Sequence, residues 1–204
     1  MAEFLSKEYW NNRYINSEIA WDMSEVSPPL KLYFHQLESK DVRILIPGCG
    51  NSYEAEYLAK IGFTEITVID IAKEPVERLQ RVLKDYPAVT IIQEDFFKHK
   101  GNYDLIIEQT FFCALDPNLR ERYAEKMYEL LNEEEGKLVG VLFKTEFQKP
   151  GPPFGGTPDE YKKLFEKYFK IQIINDCYNS HEKRMGNEVF IQFIKEDPEP
   201  KLLL

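Results

Sequence analysis

Short apolar runs alternate with amphipathic helical patterns from residue 42 to residue 143, and this alternation constrains the fold more than any other feature of the sequence. The runs that fit strands are 42–47, 65–70, 88–93, 103–109 and 136–143. The periodic stretches that fit helices are 52–62, 72–86 and 117–131. Strands that alternate with helices need crossover connections, which place helices on both faces of a parallel sheet. The sequence therefore predicts an α/β fold with a single doubly wound, mostly parallel sheet of the Rossmann-like type.

The two ends of the chain depart from this alternation. After a helix at 157–169, for which Thr157 is the expected N-cap, the runs 171–178 and 187–195 should pair as an antiparallel hairpin. We expect this hairpin to give the sheet an antiparallel edge strand. Residues 1–40 show no strand period but hold several aromatic residues among polar ones: Tyr9, Trp10, Tyr14, Trp21, Tyr33 and Phe34.

We interpret residues 1–40 as a helical N-terminal lid and residues 41–196 as a Rossmann-like core. The last residues, 197–204, form an expected tail, because their charged and proline-rich composition gives them little to pack against. The predicted organisation is one domain over residues 1–204.

A glycine turn follows the first predicted strand, where Gly48 and Gly50 come directly after Pro47. In open parallel sheets, ligands bind outside the carboxyl ends of the strands. A dinucleotide fingerprint needs a third glycine, but Tyr53 occupies that position, and no Gly-Lys-Ser/Thr follows for a phosphate loop. Asp70 ends the second strand, where a carboxylate accepts hydrogen bonds from a ribose. The turn and Asp70 favour a nucleoside without phosphates; a tight connection and a simple helix cap are the alternatives.

Polar and aromatic residues after the third and fourth strands extend this candidate site. Asp95 and Phe96 follow the third strand, where they suit the amine and the face of an adenine; a plain loop with core aromatics is the alternative. Glu108 and Gln109 end the fourth strand, at the expected mouth of the same crevice. Cys113 lies in an apolar run and is interpreted as a core residue.

Two further features suggest how an acceptor would be held. Arg120 or Arg122, on the predicted helix 117–131, is a candidate cation for an anionic substrate; surface pairing with nearby glutamates is the alternative. The proline-rich stretch 143–156 is expected to form a stiff rim. Its aromatic residues would supply an apolar wall: Phe143, Phe147 and Phe154.

Composition narrows the class of partner. The formal net charge of −9 argues against a nucleic-acid binder, which would present a basic face. Three widely spaced cysteines give neither a disulfide framework nor a zinc site, so we expect a reducing compartment and no metal. No apolar stretch approaches the roughly 20 residues that cross a bilayer. We therefore expect a cytoplasmic monomer that acts on a small molecule, without nucleic acid or membrane partners.

Several motifs occur together in the order and approximate spacing of one known family. They are Trp10 and Trp21 eleven residues apart, "PGCG" at 47–50, "VIDI" at 68–71, "EDFF" at 94–97, "FCALDPNLRERYAEKMYELL" at 112–131 and "PGPPF" at 150–154. With them the chain resembles a class I S-adenosylmethionine-dependent methyltransferase of the thiopurine S-methyltransferase family, which includes plant halide and thiol methyltransferases. The resemblance covers nearly the whole chain.

The resemblance implies that S-adenosylmethionine is the cofactor and assigns roles to particular residues. Gly48 would contact it through the backbone and Asp70 would bind its ribose. Asp95 and Phe96 would bind its adenine.

The remaining implied roles concern the methionine end and the acceptor. Trp10, Tyr14 and Trp21 would close the lid over the methionine end, where aromatic faces attract a sulfonium cation; helix packing is the alternative for the two tryptophans. Gln109 stands beside the cofactor, where halide and thiol members often carry a tyrosine, and Arg120 matches an arginine on the cofactor or substrate side. In many class I members a carboxylate stands two residues before the first glycine, but this chain has Ile46 there.

The expected reaction is methyl transfer to a small nucleophile: a thiol or thiolate sulfur, as in a thiopurine, a small thiol or hydrosulfide, or a halide. A nicotinamide-dependent oxidoreductase is the second hypothesis, supported by the same fold and by Asp70. A non-catalytic nucleoside-binding protein is the third.

Overall fold

The computed structural model describes residues 5–196 of the 204-residue chain. The predicted tail, 197–204, lies outside the described residues. The predicted boundaries of the domain, its lid and its core stay predictions.

One seven-stranded sheet organises the described residues. The strands are β1 (Arg43–Pro47), β2 (Glu65–Asp70), β3 (Val89–Gln93), β4 (Leu105–Gln109), β5 (Lys137–Phe143), β6 (Lys170–Asp176) and β7 (Glu188–Ile194). Their order is β3-β2-β1-β4-β5-β7-β6, and all pairings among β1 to β5 are parallel. The predicted single, mostly parallel sheet is confirmed.

The described residues form six α-helices, and those that connect the strands cover the faces of the sheet, as the alternating pattern predicts. The six helices are α1 (Lys7–Ile15), α2 (Pro28–Phe34), α3 (Tyr53–Lys60), α4 (Lys73–Val82), α5 (Arg120–Leu130) and α6 (Pro158–Phe165). The expected N-cap of α6 is confirmed: Thr157 and Glu160 form a reciprocal capping box, which satisfies two backbone N–H groups at the helix start. Among residues 5–196, no helix is both long and apolar enough to span a bilayer.

The C-terminal hairpin and its place at one edge of the sheet are confirmed. β7 pairs antiparallel with β5 on one side and with β6 on the other. The edge strand is therefore β6, and the antiparallel strand lies one position inside the sheet. The reason lies in burial: β7 is apolar along most of its length, with Val189, Ile191 and Phe193 buried, whereas β6 has no buried residue.

Two hydrophobic clusters, one on each face of the sheet, form the core. α2 contributes to this core. Tyr33 is 8% exposed and Phe34 is fully buried, and both belong to the same hydrophobic cluster as residues of β1 and α3. The aromatic residues of α2 therefore serve packing, and the bounds of the lid stay a prediction.

The strand order reverses between β1 and β4, which are neighbours although β2 and β3 separate them in sequence. The connections after β1 and β4 leave the sheet in opposite directions at this point, so a crevice opens at the carboxyl ends of the two strands. The glycine turn after β1 and the polar end of β4 both face this crevice.

Candidate active site

A cavity of about 570 Å³ occupies this crevice, within the range of about 300–1,000 Å³ that is typical of small-molecule sites. Segments that follow β1, β2, β3 and β4 form its floor, and α1 contributes to its roof. Every residue for which the sequence predicts cofactor contact lines this one cavity: Trp10, Tyr14, Trp21, Gly48, Asp70, Asp95, Phe96 and Gln109.

The glycine turn is shaped by close packing. Gly48 and Gly50 have φ values of +58° and +51°, the left-handed region that favours glycine. A Cβ atom on Gly48 would overlap the ring of Phe111, and one on Gly50 would lie 2.6 Å from the hydroxyl of Tyr14. Both glycines are thus required where the backbone approaches other groups at the cavity floor.

Asp70 connects the glycine turn to the start of α4. Its carboxylate accepts hydrogen bonds from the backbone N–H of Gly50 (2.9 Å) and of Ala72 (2.8 Å). Burial raises the pKa of the Asp70 carboxyl, and these backbone hydrogen bonds partly offset that effect. Each carboxylate oxygen has two acceptor positions, so Asp70 keeps acceptor capacity toward the cavity that it lines.

The segment after β3 presents a carboxylate beside an aromatic ring. Asp95 caps a short 3₁₀ helix, Phe96–Lys98, by accepting a hydrogen bond from the backbone N–H of Phe97 (3.0 Å). Phe96 is 4% exposed and its ring centroid lies 5.2 Å from that of Phe111. Phe96 therefore belongs to the core and at the same time forms part of the cavity surface.

Three aromatic rings, which we call the aromatic wall, close the cavity on its N-terminal side: Trp10, Tyr14 and Trp21. The Trp21 centroid lies 5.7 Å from that of Trp10 and 5.8 Å from that of Tyr14, both edge-on. Arg13 places its guanidinium carbon 5.6 Å from the Trp21 centroid. None of the residues of α1 is fully buried, so this helix covers the cavity without being part of the core.

At the end of β4, the side chains of the neighbouring residues Glu108 and Gln109 point to opposite sides of the sheet. Gln109 lines the cavity, and its side-chain oxygen is buried with no hydrogen-bond partner among residues 5–196. Glu108, expected at the mouth, points instead into the protein and is 1% exposed. It accepts hydrogen bonds from the backbone N–H groups of Phe111 (2.8 Å) and Phe112 (2.9 Å) and from the Tyr123 hydroxyl. The alternation of side chains along a strand explains the difference.

The burial of Glu108 predicts a pH dependence of stability. Burial raises the pKa of this carboxyl from 4.5 to about 7, so the folded protein keeps a proton that the unfolded chain releases. Stability should therefore fall as pH rises from 4.5 to about 7, by up to about 3 kcal/mol for this group. Glu108→Gln, which keeps the acceptor oxygen for the two N–H groups, should remove this contribution.

The measurement is urea unfolding of both proteins at several values between about pH 5 and about pH 8. Taking the difference between the two proteins cancels the titration of all other groups. Parallel stability curves over this range would contradict the assignment.

The two candidate arginines on α5 have different surroundings. Arg120 donates hydrogen bonds to the carbonyl oxygens of Gly155 (2.6 Å) and Phe154 (3.4 Å) and lies 4.7 Å over the ring of Phe112. It is not among the residues that line the cavity, whereas Arg122 is. In the structure Arg120 therefore anchors the proline-rich loop, and contact with an anionic substrate stays a prediction.

The substrate rim also differs from the expectation. Phe143, Phe147 and Phe154 do not line the cavity, and the loop contributes Pro152 and Pro153 instead. Phe143 and Phe147 pack edge-on against each other, with centroids 5.1 Å apart. Their mutual packing turns them away from the cavity.

Cys113 lines the cavity without being poised for reaction. Its thiol donates to the carbonyl oxygen of Thr110 (3.4 Å), and burial raises its pKa to about 12. Burial thus disfavours the thiolate, which is the nucleophilic form of cysteine. Cys113 is 5% exposed, and its interpretation as a packing residue stays a prediction.

Sequence reasoning missed several polar residues of the cavity. Asp22 accepts hydrogen bonds from the Asn51 amide and from the Tyr53 hydroxyl (3.2 Å), which fixes the chain beside Trp21. Arg13 lines the cavity with a buried Nε that has no hydrogen-bond partner among the described residues. These residues lie in or next to the aromatic N-terminal segment, so their proximity to Trp10 and Trp21 was the available signal.

Comparisons with known proteins agree with this geometry. The family model described as thiopurine S-methyltransferase matches residues 5–198. The chain is 29% identical over 160 residues to a probable thiol methyltransferase 2 of Arabidopsis thaliana, covering 76% of this chain and 70% of that protein. It is 26% identical over 197 residues to thiocyanate methyltransferase 1 of Brassica oleracea, covering 92% of this chain and 85% of that protein.

A solved structure shares the fold. It is the 1,6-didemethyltoxoflavin-N1-methyltransferase of Burkholderia thailandensis, with bound 1,6-didemethyltoxoflavin and S-adenosylhomocysteine. The TM-score is 0.77 at 14% identity, and the match covers 95% of this chain and 88% of that one. With the family match over residues 5–198, these findings show that the chain belongs to the thiopurine S-methyltransferase family.

Proposed function

We propose that this protein transfers the methyl group of S-adenosylmethionine to a small nucleophile, a thiol, thiolate or hydrosulfide sulfur or a halide. The observation that carries the proposal is the convergence of Asp70, the aromatic wall and Gln109 on one cavity at the point where strand order reverses. The sulfur acceptor is supported by the names of the relatives, a thiol and a thiocyanate methyltransferase.

The nucleoside half of the cofactor fits the floor of the cavity. Asp70 retains acceptor capacity for ribose hydroxyls, and the glycine turn that it holds lines the same part of the cavity. Asp95 and Phe96 offer a carboxylate for the adenine amine and a ring for its face. A phosphate would meet Asp70 and Asp95 here, so these residues favour a nucleoside without phosphates.

The methionine half fits the roof. The aromatic wall presents rings to a sulfonium cation, an arrangement that attracts cations within about 6 Å of a ring centroid. Ile46 is 2% exposed and does not line the cavity, so its position provides no carboxylate for the methionine amino group. Arg13 lines the same part of the cavity, and its unpartnered Nε suits the methionine carboxylate.

When bound, S-adenosylmethionine supplies a methyl group that its sulfonium already activates. The chain's own residues then have two tasks, to hold the acceptor in line and to exclude water. α1 and the aromatic wall cover the cavity, and Pro152 and Pro153 bound it on the other side. A thiolate, a hydrosulfide or a halide is already a nucleophile, so the site needs no strong base.

Neutral side chains surround the expected position of the acceptor. Gln109, Thr110 and Cys113 offer dipoles and no full charge, while Arg122 is the cation that α5 adds to the lining. Gln109 can donate through its amide nitrogen to an anionic acceptor or accept from a thiol through its unpartnered oxygen. This lining suits a small sulfur nucleophile or halide better than a cationic acceptor.

The nicotinamide hypothesis has less support. Tyr53 stands where a dinucleotide site needs its third glycine, and its side chain hydrogen-bonds to Asp22 at 3.2 Å. The family match also names a methyltransferase. A small-molecule acceptor follows from this activity, whereas the monomeric state, the absence of nucleic-acid partners and the cytoplasmic location stay predictions.

The test is turnover with methyl-labelled S-adenosylmethionine and a panel of acceptors: hydrosulfide, a small aliphatic thiol, thiophenol, a thiopurine, thiocyanate and iodide. We expect mass spectrometry to find a labelled thioether, methanethiol, methyl thiocyanate or methyl iodide with at least one of them. If S-adenosylhomocysteine binds but no acceptor is methylated, the non-catalytic hypothesis replaces this one.

A further inference from the structure

Arg184 is a buried cation outside the cavity lining. It ends the 3₁₀ helix Glu182–Arg184, in the connection between β6 and β7, and is 7% exposed. Buried arginines need several partners, because each unsatisfied N–H group costs free energy. The partners of Arg184 therefore show what it holds in place.

Those partners come from three separate parts of the chain. One guanidinium nitrogen donates to the hydroxyl of Thr110 (2.9 Å) and to the carboxylate of Glu188 (3.1 Å). The other donates to the carbonyl oxygen of Trp21 (2.6 Å), 163 residues away in sequence. The guanidinium carbon also lies 5.2 Å from the ring centroid of Phe143.

Two of these partners line the cavity, Trp21 in the aromatic wall and Thr110 directly after Gln109. Arg184 itself is not among the cavity residues and packs close to Glu108, Cys113 and Glu188. Arg184 therefore joins the two cavity segments from outside.

Both segments need such support. Thr110 has a φ of +64°, a left-handed conformation that is unusual for a β-branched residue. Trp21 lies in the segment 16–27 between α1 and α2, which forms neither helix nor strand. The hydrogen bonds from Arg184 hold the Thr110 side chain and the Trp21 backbone in place. Asp22, the residue after Trp21, is held by its own hydrogen bonds with Asn51 and Tyr53.

We propose that Arg184 is a positioning residue for methyl transfer, which sets the separation between the Trp21 ring and the Gln109–Thr110 turn. This inference rests on the proposed function, because these two segments would hold the sulfonium and the acceptor. The planar guanidinium is required because its two terminal nitrogens donate to Thr110 and to Trp21 at the same time. A lysine has a single ammonium nitrogen and cannot span both partners in this way.

The test compares Arg184→Lys with Glu188→Gln. Arg184→Lys keeps the charge beside Glu188 but loses the fork, and we expect kcat to fall by about 10- to 100-fold, as for a misplaced reactive geometry. Its Kd for S-adenosylhomocysteine should stay within about threefold of wild type, since the nucleoside contacts are untouched. Glu188→Gln removes the ion pair but neither cavity contact, so its melting temperature should fall while kcat changes little.

A second readout does not depend on turnover. The intrinsic fluorescence of the ligand-free protein comes from its two tryptophans, Trp10 and Trp21. The wavelength or intensity of the tryptophan emission should change in Arg184→Lys. In Glu188→Gln both should match the wild type. The fluorescence readout tests the inference even if no acceptor of the panel is methylated. Failure of the whole panel would count against the proposed function and not against the role of Arg184.

Thr110→Val addresses the same contact from its other end, because valine keeps the shape and removes the hydroxyl. In a double-mutant cycle, the effects of Thr110→Val and Arg184→Lys on kcat should be less than additive, since both break one hydrogen bond. Additive effects, or an Arg184→Lys protein that loses stability but keeps wild-type kcat and emission, would overturn the inference.

Discussion

Removal of residues 1–16 should abolish most methyl transfer and leave the sheet folded. This truncation deletes α1, which carries Trp10, Arg13 and Tyr14 but has no fully buried residue. Loss of two rings of the aromatic wall opens the cavity to water and frees the methionine end. We expect a rate decrease of at least about 100-fold, the scale that misplacement of reacting groups produces.

The truncation stops before Trp21 because the following segment is held by the core. Trp21 accepts a hydrogen bond from Arg184, and the backbone N–H of Ser27 donates to the buried Glu54 (3.0 Å). Circular dichroism and urea unfolding should therefore show a folded protein. Ile15→Ala, at a residue of α1 that is 58% exposed, is the matched control and should keep wild-type activity. A truncated protein with full activity would exclude α1 from the active site.

Asp70→Asn should weaken cofactor binding strongly. The substitution removes the negative charge and one acceptor oxygen. The new amide N–H₂ then faces the backbone N–H of either Gly50 or Ala72, both of which donate to the carboxylate in the wild type. We expect the binding free energy of S-adenosylhomocysteine to fall by about 1–3 kcal/mol, which is about a 5- to 150-fold rise in Kd. Isothermal titration calorimetry measures this change.

Asp85→Asn, an exposed carboxylate beyond α4, is the control for the loss of one negative charge. Its Kd should match that of the wild type. Unfolding measurements on Asp70→Asn separate the loss of binding from a loosened glycine turn. Unchanged affinity in Asp70→Asn would mean that the carboxylate serves only the turn and the start of α4.

The core of the fold follows from local sequence patterns. The runs that become β1 to β5 are apolar because helices cover both faces of the sheet, and Thr157 marks the start of α6 by its capping chemistry. The glycine turn and Asp70 were predictable for the same reason: a parallel sheet has one edge where ligands bind. The resemblance to a methyltransferase family, based on motifs along the whole chain, is confirmed.

Other features depend on contacts between residues far apart in sequence. The insertion of β7 between β5 and β6 depends on which strand buries both faces, and the hairpin pattern alone does not specify this. Tyr33 and Phe34 resemble the lid aromatics in their local sequence, yet α2 packs them into the core. The hydrogen bond from Arg184 to the Trp21 carbonyl joins two segments that have no regular hydrophobic period, so the local sequence pattern could not predict it.

A fluorescence titration of the full-length protein with S-adenosylhomocysteine tests the central claim most directly, since both tryptophans belong to the aromatic wall. If the cavity holds the cofactor beneath this wall, emission should change saturably, and the ligand should raise the melting temperature as ligands of the native state do. A parallel titration with NAD should produce neither effect. Saturable changes with NAD and none with S-adenosylhomocysteine would contradict the assignment of this cavity to a methyl donor.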